Sequence, residues 1–371
     1  MDRHRFGYSP FGGPPMPYDR VNLAVVGGGI VGAWAAFMAQ RADPNRRVAL
    51  LDRGLVGSGA SMYGGAIRLP YGSSPARRTM ADRSEQLYRA FASPCEADLP
   101  GRDLTLYWVV ENGSEDSLHR GSVHAGPTEV DSTETSRLIR RLSFLRVPSG
   151  GGVLRDTASA GSPGATAARL ADAVRRKYGG WCQEGVEVTA IQEDLTQCSL
   201  SLSDGCKLNT DAVLCATGPW SGPVGTLTTR KVRVKKVTAL HLDWPVRRDD
   251  PAVFFFDRDA YLLPDLHAGR WIFSFASETW DVRPDPAELA LSREDRRKGE
   301  AILQAIAPKL VDRIVGARGF CDGYASDANP VADLQPNSRR CSIAHAGAGS
   351  GYRLAPAMAE AALETIVERV G

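Results

Sequence analysis

VNLAVVGGGIVGAWAAFMAQR, residues 21–41, decides the fold. Val21 to Val26 is a short, mostly apolar run that predicts a strand, Gly27-Gly28-Gly29-Ile30-Val31-Gly32 follows at once, and Ala33 to Arg41 predicts a helix. Strand, GxGxxG and helix in this order suit a diphosphate. Gly27 makes the tight turn, Gly29 lets a pyrophosphate approach the backbone, and Gly32 lets helix and strand pack closely, with the helix N-terminus facing the anion. A second strand, Arg47 to Leu51, ends at Asp52, twenty residues after Gly32, where a carboxylate can accept hydrogen bonds from a ribose hydroxyl. The segment predicts a dinucleotide-binding unit. Three glycines interrupt the apolar run Leu23 to Gln40, which argues against a membrane span.

Outward from this unit the chain reads as an ordinary globular protein. It has 371 residues, 43% of them hydrophobic and 24% charged, with a formal net charge of +2, which excludes a disordered or collagen-like chain and a membrane bundle. The length suggests two domains, or one α/β body carrying a second sheet. The near-neutral balance gives no footprint for nucleic acid and points to a small-molecule partner; the basic run Arg230 to Lys236 reads as a solvated strand face. Seven cysteines without a CxxC pair signal neither a zinc site nor a disulfide framework, so no metal is expected and a reducing cytoplasm fits best. Residues 1–20 are rich in Pro, Gly and Tyr, lack the apolar stretch of a signal peptide, and read as a disordered extension.

The residues after Asp52-Arg53 separate FAD from NAD. A plain NAD-binding unit would run into another crossover helix, whereas Gly57-Ser58-Gly59-Ala60-Ser61 and Gly64-Gly65-Ala66-Ile67-Arg68 stay small, as suits backbone lying against an extended cofactor. The chain here resembles the FAD-dependent amine and amino acid oxidases of the glycine oxidase, sarcosine oxidase and D-amino acid oxidase superfamily. Four segments carry the likeness: VVGGGIVG with Asp52, GSGAS…GGAIRLPYG, DAVLCATGPWS at 211–221, and GAGSGYRLAP at 347–356. The resemblance implies an α/β fold in which a discontinuous, Rossmann-type FAD-binding domain carries an α+β substrate domain built on an antiparallel sheet. Residues 20–95, 150–225 and 325–371 would form the first, residues 96–149 and 226–324 the second. It also implies cofactor contacts from Val188, from Ala216-Thr217-Gly218 with Trp220, and from Gly349-Ser350-Gly351-Tyr352-Arg353-Leu354.

Alternating apolar residues and turn signals predict strands at Lys231 to Asp243, Val253 to Asp257, Ala260 to Pro264 and Arg270 to Ala276. A turn is expected at Gly152 before a helix Ala165 to Lys177, a helix over Pro286 to Leu310, and a last helix Pro356 to Val370 that begins on its proline and turns Met358, Ala362, Ile366 and Val370 to one side.

Oxidising a C–N bond at a flavin needs placement more than acid–base machinery, and a carboxylate-bearing amine is best clamped by arginine. By resemblance, Arg68 and Arg353 are the clamp. Cys321, three positions before Tyr324 where relatives have two, suggests a thioether to FAD; alignment on the tyrosine puts Asp322 there instead, and the cofactor is then non-covalent. Relatives of the sarcosine type place an oxygen-activating lysine on the strand after the substrate sheet, but no lysine occurs between Val237 and Arg297. Trp280 is the alternative cap for the ring, and Lys235 or Lys236 the alternative cation, so the electron acceptor is O2 or another molecule. His241 faces the substrate or is a sheet histidine; His345 reads as structural. Tyr261, Phe273, Phe275 and Trp280 hint at an apolar or aromatic substrate, or are core. The reading is an FAD-dependent oxidoreductase acting on a small amino or imino acid, with a tailoring role in bacterial specialised metabolism as an extension. Its rivals are a dehydrogenase with another acceptor and a flavin-binding subunit without turnover.

Overall fold

A computed structural model describes residues 19–93, 96–111, 113–220 and 230–370. The expectations for residues 1–18, Cys95 and Ser221, and the orientation expected for Val370, lie outside what is described. In chain order the elements are β1 (Arg20–Val26), α1 (Ile30–Ala42), β2 (Val48–Leu51), α2 (Ala60–Tyr63), β3 (Ile67–Arg68), α3 (Pro75–Phe91), β4 (Gly101–Val110), α4 (Glu115–Gly121), β5 (Thr128–Glu129), α5 (Ser132–Arg141), β6 (Gly152–Gly161), α6 (Pro163–Tyr178), β7 (Trp181–Gln183), β8 (Val188–Glu193), β9 (Cys198–Leu202) and β10 (Lys207–Cys215). There follow β11 (Val232–Leu242), β12 (Ala252–Phe255), β13 (Ala260–Asp265), β14 (Arg270–Phe275), α7 (Pro286–Leu289), α8 (Arg293–Ile306), β15 (Ile314–Ala325), β16 (Val331–Leu334), β17 (Cys341–His345) and α9 (Gly351–Val370).

Two sheets organise these elements. The first runs β16-β17-β10-β1-β2-β7, with β8 and β9 attached beside β10. Its central pairs, β1 with β10 and β2 and β10 with β17, are parallel. The all-apolar β2 and near-continuous apolar β1 suit strands covered on both faces. Helix α1 packs there through Trp34 and Phe37, whose rings meet Tyr88, Phe91 and Tyr178 edge-on or tilted.

The second sheet runs β15-β11-β14-β13-β12-β4-β6-β3 with β5 beside β6. It is antiparallel except where β12 runs parallel to β4. The α/β class with a second antiparallel-rich sheet is as expected. The sheet membership differs in detail: Gly152–Gly161 is a strand rather than a turn, and it and β3 pair within the second sheet although 20–95 and 150–225 were read as cofactor-binding pieces. Phe273 and Phe275 stack on one another in the core that α8 covers with Leu303 and Ile306.

Two helices also depart from expectation. The stretch 286–310 breaks after Leu289, because Ser292 caps the next helix: its hydroxyl accepts the Asp295 N–H, while the Asp295 carboxylate accepts the Ser292 N–H. Helix α9 starts at Gly351, five residues before the proline. Pro356 has no N–H for the Tyr352 carbonyl. The Tyr88 hydroxyl donates to that carbonyl instead, at 2.6 Å, and the Ala357 N–H donates to Ser84 Oγ at 3.2 Å. Both substitutes come from α3. Among the described residues no helix is long and apolar enough to cross a membrane.

Candidate functional site

Two adjoining cavities, of about 930 and 550 Å³, run between the sheets and share Gly29, Ala60, Ser61, Ala216, Gly218 and Pro219 in their walls. The larger begins where β1 turns into α1. Gly27 has φ +102°, and a Cβ there would stand 2.5 Å from the Ala216 carbonyl oxygen; at Gly32 a Cβ would stand 1.8 Å from the Gly27 carbonyl oxygen. Neither position admits a side chain. Asp52 closes the first turn by accepting N–H bonds from Gly28 (2.6 Å) and Gly54 (2.7 Å), and burial raises its pKa against those bonds. Arg53, over the Trp220 ring at 4.9 Å, Gly59, Val188 and Thr217 complete this end.

Gly29, Ile30, Val31, Ala60, Ser61, Gly64 and Gly65 continue into the smaller cavity. Opposite them the loop after β17 holds Ala346 (φ +60°), Ala348 (φ +51°) and Gly349 (φ +73°) in the left-handed region, and Gly349, Ser350, Gly351, Tyr352 and Arg353 line the wall. Two alanines in that conformation store strain of about 1 kcal/mol or more each, which is retained where a site needs the backbone shape. An elongated trench walled largely by backbone, with an acidic residue at one end and no room for a side chain at Gly27, fits FAD: Asp52 and Val188 would hold the nucleotide end, Gly27 to Gly29 before α1 the diphosphate, and Gly64, Gly65 and the start of α9 the ring. Gly32 serves packing alone, and Leu354 points away into a cluster with Ala81 and Met358, contrary to its expected cofactor contact.

The charged groups of the smaller cavity decide its chemistry. Arg77, on the first turn of α3, is 6% exposed; its guanidinium donates to the Ala328 carbonyl and to Ser350 Oγ. Arg353 donates to the same Ser350 Oγ at 2.6 Å, and its remaining surface faces the cavity. Both Nε atoms are buried without a partner among the described residues, and neither guanidinium has a carboxylate in ion-pair range there. Burial and the neighbouring Arg77 push Arg353 down to about 9, still cationic at neutral pH; burial lowers Arg77 as well. Asp322 also faces the cavity and accepts the Gly349 and Gly323 N–H groups at 2.8 Å; burial outweighs these bonds and raises it to about 6. Burial, then Arg230, holds His345 down at about 4, so it is neutral, and its Nε2 has no partner among the described residues.

Of the four residues expected at the reacting centre, Arg353 alone lines the cavity. Arg68 turns the other way: it pairs with Glu85 at 3.1 Å, donates to the Tyr352 hydroxyl at 3.2 Å and lies 4.1 Å over the Tyr88 ring. His241 sits farther along β11, pushed down to about 4 by burial and by Arg270 and Arg318. Trp280 is 37% exposed and lies outside the wall, edge-on to Tyr324. Cys321 is the clearest correction. Phe320, Asp322 and Tyr324 alternate onto the cavity face of β15, which turns Cys321 to the opposite face, 1% exposed and pushed up to about 12 by burial. The thiol lies on the wall of neither cavity.

Lysine placement separates the two alternatives. Both touch the cavity wall, but Lys236 is bound to Asp295 at 2.8 Å, whereas Lys235 lies over the rings of Trp280 (4.9 Å) and Tyr324 (5.5 Å), without an ion pair among the described residues. Sequence reasoning missed Arg77. It sits in SSPARRT as one of two adjacent arginines, and only the helix start set by Ser74, whose hydroxyl accepts the Arg77 N–H, turns this one inward.

A protein-family profile described as FAD dependent oxidoreductase, DAO, matches residues 22–365. None of the curated protein sequences matches the chain. Among solved structures, glycine oxidase from Geobacillus kaustophilus is similar with a TM-score of 0.77 at 21% identity, covering 94% of this chain and 95% of that one. L-proline dehydrogenase from P. horikoshii gives 0.78 at 20%, covering 94% of each. L-α-glycerophosphate oxidase from Mycoplasma pneumoniae gives 0.78 at 13%, covering 94% and 95%. At these identities the likeness establishes the fold, which houses amine and alcohol oxidation alike.

Proposed function

Because the chain belongs to the DAO family of FAD-dependent oxidoreductases, we propose that it oxidises the C–N bond of an amino or imino acid whose carboxylate is held by Arg77 and Arg353. The observation that carries this reading is the pair of guanidiniums converging on Ser350 Oγ with no carboxylate in ion-pair range among the described residues. Buried cations are retained where a ligand supplies the anion. FAD, when bound, supplies the acceptor for the substrate's hydride. The chain's residues orient the carbon to be oxidised: two guanidiniums fix the carboxylate, and its fixed position restricts the neighbouring amine-bearing carbon. Asp322, ionised above its raised value near 6, is the cavity group suited to take a proton from the substrate ammonium.

Lys235 supports dioxygen as the acceptor, since a cation facing the cavity favours placing electrons on a molecule that becomes negative as it is reduced. The test is anaerobic mixing of the FAD-loaded chain with panels of amino acids, imino acids and hydroxy acids, followed by admission of air. Bleaching of the flavin by an amino or imino acid, then recovery with hydrogen peroxide formation, is expected. Bleaching by hydroxy acids alone would overturn the amine reading, and recovery only with an added quinone or dye would replace dioxygen as acceptor.

A further inference from the structure

We propose that the cavity selects a substrate with a single carboxylate and an uncharged aromatic side group, the ring lying in a box formed by Tyr71, Trp108, Phe254, Phe256 and Tyr261. The proposal rests on the amine-oxidation reading for the substrate's reacting end and adds what the rest of the molecule must be.

The box is built by the second sheet and the loop after β3. Tyr71 and Trp108 have ring centroids 5.8 Å apart, Trp108 and Phe254 5.0 Å, and Tyr71 and Phe256 5.6 Å, while Phe254 and Tyr261 stack at 5.9 Å with their planes 13° apart. All five line the smaller cavity. Trp108 is buried and spends its N–H on Asp156 at 3.3 Å, so the indole offers its neighbours ring surface alone. The other four keep part of their surface accessible, whereas Phe275, which also touches the cavity wall, is almost wholly buried and stacks on Phe273 in the core under α8. Aromatic faces left open beside one another favour another ring in offset or edge-on contact. Tyr71 belongs to both halves of the site: it packs in the box, and Arg353 and Arg77 act electrostatically on its hydroxyl. Carboxylate and ring therefore sit close together on one compact molecule.

Charge sets the second condition. The charged groups on the wall are Arg77, Lys235 and Arg353 against Asp259 and Asp322; Lys236 is neutralised by Asp295, and His345 is uncharged. The substrate carboxylate would meet Arg77 and Arg353 and its ammonium Asp322, while Asp259 is exposed to solvent, so the reacting end of the molecule is paired. A second carboxylate or an ammonium on the side group would lie among the five rings, whose hydrocarbon offers it no counter-charge, and a site of this kind rejects it.

The experiment uses ligands that lack an amine and so cannot react. The FAD-loaded chain is titrated with 3-phenylpropionate, propionate, glutarate and 3-phenylpropylamine, following perturbation of the flavin spectrum and quenching of tryptophan fluorescence. We expect 3-phenylpropionate to bind about tenfold or more tighter than each of the others. Phe256→Ala should erase its advantage over propionate while leaving propionate unchanged. Propionate or glutarate binding as tightly to the unaltered chain would overturn the proposal, whatever the variant does. Because these ligands test recognition without turnover, their outcome is independent of whether any amine bleaches the flavin.

Discussion

The two ends of the joined cavity are built by opposite means. At the Asp52 end the chain makes room by leaving side chains out: Gly27 and Gly32 admit no Cβ, and backbone walls the trench. At the Arg353 end it installs charge: two guanidiniums and a carboxylate are taken out of water and held on a single hydroxyl and a few backbone groups. The first strategy uses steric rules that act over a few residues. The second depends on partners from α3, β15 and the start of α9, which meet only in the folded chain.

The contrast predicts where substitutions hurt. Gly32→Val should abolish flavin retention outright, since a Cβ would already overlap the Gly27 carbonyl; absorbance of the purified protein checks this, and a yellow Gly32→Val protein would break the steric half of the comparison. Arg353→Met or Arg77→Met should keep the flavin but lower kcat/KM by about 100-fold, the usual scale for removing one partner of a buried charge contact. Arg68→Met is the control: steady-state kinetics should change by less than about threefold, while the melting temperature falls because Glu85 loses its less exposed partner and keeps only Arg89. Equal kinetic losses for Arg68 and Arg353 would restore the pairing expected from sequence.

Asp322 sharpens the charged half through pH. Its value near 6 in the folded chain lies above about 3.9 in the unfolded one. Ionisation therefore opposes folding, fully above pH 6, and the penalty fades as pH falls from 6 towards 4. The parent should therefore gain stability as pH falls from about 6 towards 4, and Asp322→Asn, which cannot ionise, should lose that dependence, as followed by denaturant unfolding across this range. The smallest effect belongs to Cys321→Ser. After acid precipitation the flavin of both proteins should pass to the supernatant; colour retained in the pellet of the parent and lost in the variant would reverse the placement described for β15.

What was legible in the sequence follows the same division. The strand, glycine turn, helix and Asp52 could be read because each glycine is demanded by its own neighbours, and the second-sheet strands because alternation and turn residues are local. Arg68 misled for the same reason that Arg77 was missed. A guanidinium's direction depends on whether Glu85 or an open cavity lies opposite, and nothing within a few residues records that. Cys321 and Asp322 differ by one position, which on a strand means opposite faces; register against β11 decides between them. The early start of α9 was hidden by a proline that ordinarily begins a helix, because its lost hydrogen bonds are replaced from α3.

That replacement makes α3 and α9 one mechanical part. Tyr88 and Ser84 are pinned to the interrupted turn of α9 at Tyr352 and Ala357, and Arg83 is bound to Glu360 farther along. Arg77 rides on the same α3 and Arg353 on the same α9. The clamp is therefore a two-jawed vice whose jaws are bolted to one another behind the site, and the gap between the guanidiniums is set by the joint at Pro356. Loosening that joint would change the gauge of the vice without touching either jaw.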